Sequence, residues 1–176
     1  IQDGDYSSPL KVYEYDEITQ IASAAHNLAQ KIKLTMEEIV TDKALKAFQE
    51  IGRHVLVEQT GLLIKDFGNL PGGLTQIFWD SLQADKFSNI FSKIGTAEVC
   101  AKTVLAFCDG MHIHTFEGTI DGHIVSQPRG DRDFQWDCVF EPEGYDKTFA
   151  ELGKEKNKIS MRRRALNELK KYLEEK

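Results

Sequence analysis

At 176 residues the chain is one domain's worth, spanning 1–176 and long enough to bury roughly 70% of the surface its unfolded form would expose. A content of 41% hydrophobic and 28% charged residues is ordinary for a globular protein, and a formal charge of −6 argues against a general nucleic-acid binder, which needs a basic face. No apolar run approaches the roughly 20 residues of a membrane span, no signal peptide is visible, and Cys100, Cys108 and Cys138 lack CxxC spacing, which leaves reduced thiols in a cytoplasmic protein as the expectation.

In chain order, Ile1 to Tyr6 has little of a buried strand's apolar content. From Val12 onward, Tyr15, Ile18, Ile21, Ala22 and Ala25 recur at helical spacing and read as a core-facing stripe. Thr35-Met36-Glu37-Glu38 has the form of a capping box that opens a second helix. Its buried face is marked by Val40, Ala44, Ala47, Phe48 and Ile51, and Gly52 ends it.

His54 to Val57 reads as a short, wholly buried strand that delivers Glu58-Gln59-Thr60-Gly61-Leu62. Gly68 to Gly73 is a turn-forming cluster before a helix that begins near Leu74. Two short helical patterns follow, Ile77, Phe78 and Leu82, then Phe87, Ile90, Phe91 and Ile94, as core or oligomer contacts. Ala97 to Phe107 is β-rich, Asp109-Gly110 signals a hairpin turn, and Met111 to Phe116 returns. His112 and His114 share a strand face, but no carboxylate or cysteine sits at a suitable spacing, so these and His123 read as surface histidines.

The last third is densest in polar chemistry. Pro128-Arg129-Gly130-Asp131-Arg132-Asp133-Phe134-Gln135-Trp136-Asp137 and Glu155-Lys156-Asn157-Lys158-Ile159-Ser160-Met161-Arg162 place aromatic rings, guanidinium groups and ammonium groups close to glycine and proline. Such a set suits a planar, anionic ligand better than a core: rings stack on a base, and cations hold phosphate or a purine carbonyl. Thr148-Phe149-Ala150-Glu151 is a second capping box, and Ala165, Leu166, Leu169, Tyr172 and Leu173 form the inward stripe of a final helix.

These clusters resemble, in order and nearly without gaps from Lys11 to Leu173, the inosine triphosphate pyrophosphatase (Ham1-like) family, which hydrolyses deaminated purine nucleoside triphosphates to monophosphate and pyrophosphate. The resemblance implies an α/β fold with an elongated mixed sheet flanked by helices, two lobes and a central nucleotide cleft. It implies phosphate contacts at Ser8 and Lys11, a lysine pointing into the cleft at Lys43, and a base pocket formed by Phe134, Trp136, Asp137, Lys156, Met161 and Arg162. It also implies Mg²⁺ bound with the nucleotide, Glu58 as its ligand, and a homodimer or hetero-oligomer. Arg163 and Arg164 read as a solvated helix face.

Several family positions are altered. Ser7 and Ser8 stand where Gly and Asn are expected, Gln135 replaces a Gly, Cys138 a Pro, and Met161 the His of Ser-His-Arg. The loop Glu that helps hold magnesium has no counterpart between Leu34 and Glu37, with Glu37 the nearest substitute. Above all, Gln59 occupies the position of the general base; an amide binds a water but takes no proton from it, and losing such a base costs about 10²–10⁴ in rate. The expectation is therefore a nucleotide-sensing pseudoenzyme. Divergent proteins of this kind occur beside effectors such as sirtuin-like NADases in bacterial anti-phage systems, with no nucleic acid or membrane as partner. The alternative is an active pyrophosphatase in which Glu58 or Glu17 serves as base. A vestigial cleft in a scaffold subunit would bind no nucleotide.

Overall fold

The chain divides into two compact units, residues 1–33 and 34–176. The computed structural model describes Gln20 and residues 35–175, so Ser8, Lys11, Glu17 and the first helical stripe lie outside the described residues.

Helix α1 (Met36–Ile51) begins as its capping box predicts. The Glu38 amide donates to Thr35 Oγ1 at 3.2 Å, and the Thr35 amide donates to Glu38 Oε2 at 2.8 Å. Gly52 ends it in a left-handed conformation and donates its N–H to the Phe48 carbonyl. Met36, Val40 and Ala44 recur every fourth residue and are buried, whereas Ile51, expected inside, is 58% exposed in the last turn.

Strand β1 (Val55–Ile64) is longer than its apolar start predicts and runs straight through Glu58, Gln59 and Thr60. Its length is set by its neighbour: it pairs with β3 (Glu98–Cys108) from Val55↔Cys108 to Ile64↔Val99, and those ladder bonds extend the strand across polar residues. Nor is its start wholly buried, since Leu56 is exposed. Gly61 is required for space, because a Cβ there would stand 2.1 Å from the carbonyl oxygen of Gly72 in β2 (Leu70–Gly72).

The two helical patterns after Gly73 form one element, α2 (Thr75–Phe91), kinked at Gln83 where φ is +56°. Its inner residues Phe87 and Phe91 are fully buried and packed 4.5 Å apart between ring centroids. Each such side chain contributes about 1.5–3 kcal/mol by leaving water. Strands β3 and β4 (Ile113–Ile124) form the expected hairpin around Asp109-Gly110. At 11 and 12 residues they extend about 36–40 Å at roughly 3.3 Å per residue, which makes the sheet elongated. A short β5 (Phe140–Pro142) completes the order β2-β1-β3-β4-β5, with every described pairing antiparallel.

Helices cover both sheet faces. On one, α1 packs Met36, Val40 and Ala44 on Val55, Val104, Ala106 and Cys108. On the other, the C-terminal helix α5 (Met161–Glu174) packs Ala165 and Leu169 on Leu105, with Phe107, Phe116 and Leu166 around them. Leu173, placed on that stripe by spacing, is half exposed in the last turn of the helix. Close approach of α5 depends on Gly118, where a Cβ would meet the Met161 carbonyl oxygen at 2.1 Å. Between β5 and α5 lie two one-turn helices, α3 (Phe149–Leu152) and α4 (Lys156–Ile159). Cys100, Cys108 and Cys138 are all free thiols. No described helix is long and apolar enough to cross a membrane.

Candidate nucleotide site

Strand alternation sends Glu58 and Gln59 to opposite faces of the sheet. On the α1 face Gln59 is buried, and its amide is held at both ends: Oε1 accepts from Lys43 Nζ at 2.5 Å, and Nε2 donates to the Gly73 carbonyl at 2.9 Å. One neighbour demands an acceptor and the other a donor. An amide supplies both, and an ionised carboxylate supplies only the first.

On the α5 face, Glu58 accepts from Arg162 through two bonds of 2.7 Å, Nε to Oε2 and NH2 to Oε1, and from Thr60 Oγ1 at 2.9 Å. Burial pushes the Glu58 carboxyl up, but the Arg162 guanidinium and the Thr60 hydroxyl outweigh it and hold the group below the ordinary carboxylate range. Glu58 is therefore ionised near neutrality, with both oxygens engaged.

The aromatic cluster divides into a platform and its foundation. Phe134 is 52% exposed, with Lys156 Nζ 4.4 Å from its ring centroid. Trp136, expected to line the pocket, is only 3% exposed and packs against Phe140 (centroids 5.8 Å) and Phe149 (6.3 Å). Between them Asp137 receives the Lys156 ammonium on Oδ2, while its buried Oδ1 has no partner among the described residues. Burial raises the Asp137 carboxyl above its ordinary value, and the Lys156 ammonium offsets this only in part.

Gln135 adopts a positive φ of +41°, a region that favours glycine, and its side chain donates to Gln76 Oε1 of α2 at 2.5 Å. A side chain in that region costs about 1–2 kcal/mol. Met161 is buried in the first turn of α5. Arg163 and Arg164 are exposed, and their side chains donate to the Asn157 and Thr119 carbonyls at 3.0 and 2.7 Å.

The described residues do not build a site for a resident metal ion here. No group of three ligating side chains gathers around Glu58, whose oxygens already serve Arg162. Glu37 is committed to Lys102, which it meets at 2.6 Å and which Glu117 meets from the other side at 2.7 Å. Contrary to expectation, the hairpin histidines have a carboxylate beside them. Asp109 folds back across the turn and places Oδ2 3.3 Å from His114 Nε2, so a carboxylate partner is present. Spacing concealed it, because Asp109 reads only as a turn residue.

The site thus joins an exposed aromatic platform, two cations beside it and a strand that crosses the sheet below. A model of the Ham1 family matches residues 7–172. The chain belongs to the Ham1 family.

Among its relatives, it is 38% identical over 162 residues to an inosine triphosphate pyrophosphatase of Yarrowia lipolytica, covering 90% of this chain and 86% of that protein. It is 31% identical over 169 residues to a dITP/XTP pyrophosphatase of Hyperthermus butylicus, with 93% and 89% covered. Among solved structures, a HAM1 protein from Coxiella burnetii matches with a TM-score of 0.72 at 26% identity, covering 81% and 78%. The Ham1 protein of Staphylococcus aureus matches at 0.70 and 28%, covering 80% and 77%.

Proposed function

We propose that this Ham1-family chain binds deaminated purine nucleoside triphosphates and holds them with little or no hydrolysis. The observation that carries this reading is the Gln59 amide, fixed between Lys43 and Gly73 where the family resemblance puts a proton acceptor. An amide has no basic site near neutrality, so a water oriented there keeps its proton.

Groups that could recognise the base remain, although Met161 stands where the resemblance puts a histidine. A purine laid on Phe134 lies beside the Lys156 ammonium, and a guanidinium donates to the 6-carbonyl of hypoxanthine or xanthine; adenine offers a donor at that position and is disfavoured. We infer that Arg162, which holds Glu58 through Nε and NH2, turns from it to reach the base, so that occupancy of the pocket is coupled to an ion pair between α5 and β1. That coupling gives a ligand two states to choose between, which a sensor requires. Any Mg²⁺ would arrive with the triphosphate, as is usual for that ion.

A second reading is favoured by the relatives' names, which speak for an ITP or dITP/XTP pyrophosphatase rather than a sensor, and which lend no support to an antiviral complex with an NADase effector. On that reading Glu58, ionised and released by Arg162, would act as base. Calorimetric titration with ITP, dITP and XTP in the presence of Mg²⁺, paired with a pyrophosphate assay, separates the two. Saturable binding without pyrophosphate release supports the first reading, and turnover at roughly 1–10³ per second establishes the second.

A further inference from the structure

We infer that the tip of the β3–β4 hairpin is a site for a divalent transition-metal ion such as zinc or nickel, held by Asp109, His112 and His114. One ligand atom from each of the three lies within 4.8 Å of the others. Two imidazoles and a carboxylate are a donor set that borderline ions favour, and three protein ligands with one water complete a tetrahedral zinc.

With bonds of about 2.0–2.1 Å, a tetrahedral zinc sets its ligand atoms roughly 3.3 Å apart. Asp109 Oδ2 and His114 Nε2 already stand at 3.3 Å. What remains is for His112 to close, and its ring is exposed and already 6.0 Å from that of His114 between centroids.

Asp109 is held in place for this role by its other oxygen. Oδ1 accepts from the backbone N–H of Met111 at 3.0 Å and of His112 at 2.8 Å, so the turn itself aims Oδ2 at His114. Orientation of a ligand by hydrogen bonds to its non-ligating atoms is a common support of metal sites. Behind the hairpin the Tyr172 hydroxyl of α5 meets His114 Nε2 at 2.9 Å, with the two rings 4.7 Å apart. A metal bond from Nε2 would replace that contact and fasten the hairpin in the presence of the C-terminal helix. None of these residues belongs to the nucleotide site, and the inference is independent of hydrolysis.

The test is calorimetric titration of the EDTA-stripped full chain with Zn²⁺, repeated with Co²⁺, whose visible absorption reports tetrahedral N/O coordination. The expected result is one ion per chain, weakened at least tenfold in His112→Ala and in His114→Ala. In His123→Ala the affinity stays unchanged, because His123 pairs with Glu141 at 3.0 Å, apart from the hairpin tip. The exposed His112 makes loss of folding an implausible cause, and a circular dichroism melt of each variant verifies this. Absence of stoichiometric uptake, or uptake that His112→Ala leaves unchanged, overturns the inference.

Discussion

Arg162 and Glu58, 104 residues apart in sequence, form a two-pronged ion pair that ties the first turn of α5 to the middle of β1. On the proposed function the same guanidinium reads a purine carbonyl, so pair and ligand would compete for it. Glu58→Gln weakens the pair and leaves Arg162 freer. Its expected effect is a gain in ITP affinity of about three- to tenfold, where tenfold corresponds to 1.4 kcal/mol. Calorimetry checks this, and an affinity that falls instead would show that Arg162 needs Glu58 to be positioned.

Phe134 and Trp136 are separable by experiment. Base–aromatic stacking is worth about 1–3 kcal/mol, so Phe134→Ala should lower ITP affinity by roughly fivefold to a hundredfold and leave Tm nearly unchanged. Trp136→Ala should do the reverse of the second part: loss of a buried ring in the Phe140–Phe149 cluster costs about 3–5 kcal/mol of stability, read by denaturant unfolding.

The two unusual carboxyls act on stability with opposite sign. Glu58 has a depressed folded value, so its contribution is full above the ordinary 4.5 and is lost as pH falls through the folded value. Asp137 has a raised one, so its contribution is full below the ordinary 3.8 and is lost as pH rises through the folded value. In a Tm profile across the acid range, Glu58→Gln should flatten the loss on the acid side. Asp137→Asn should remove a decline on the other side, whatever it does to the absolute Tm by leaving Lys156 without its partner.

Gln135 holds a glycine backbone and a bond to Gln76 at once, which a double-mutant cycle resolves. Gln76→Ala alone should destabilise by about 0.5–1.5 kcal/mol. In that background, Gln135→Gly relieves the left-handed side chain and should stabilise by about 1–2 kcal/mol. Urea unfolding of the four proteins measures both steps.

Much of the fold was legible because its signals are local. The boxes at Thr35–Glu38 and Thr148–Glu151 close as their spacing dictates, Gly52 caps α1, and Asp109-Gly110 turns the long hairpin. What escaped a reading of the chain depends on partners far away in sequence. β1 continues through Glu58-Gln59-Thr60, beyond the apolar run that marks its start, because β3 is there to pair with it. Trp136 is buried because it packs on Phe140 and Phe149, while its neighbour Phe134 stays outside. Candidate residue types for the site were readable from sequence. That Glu58 is engaged by Arg162, Gln59 by Lys43 and Glu37 by Lys102 could not, since each bond joins separate elements.

The most direct test of the role of Gln59 is pyrophosphate release from dITP and Mg²⁺ by the natural chain and by Gln59→Asp, side by side in one assay. With an amide at the base position, the natural chain should release almost none, and the aspartate variant should gain about 10²–10⁴ in rate. Turnover by the natural chain at an ordinary enzymatic rate, left unimproved by Gln59→Asp, would contradict it.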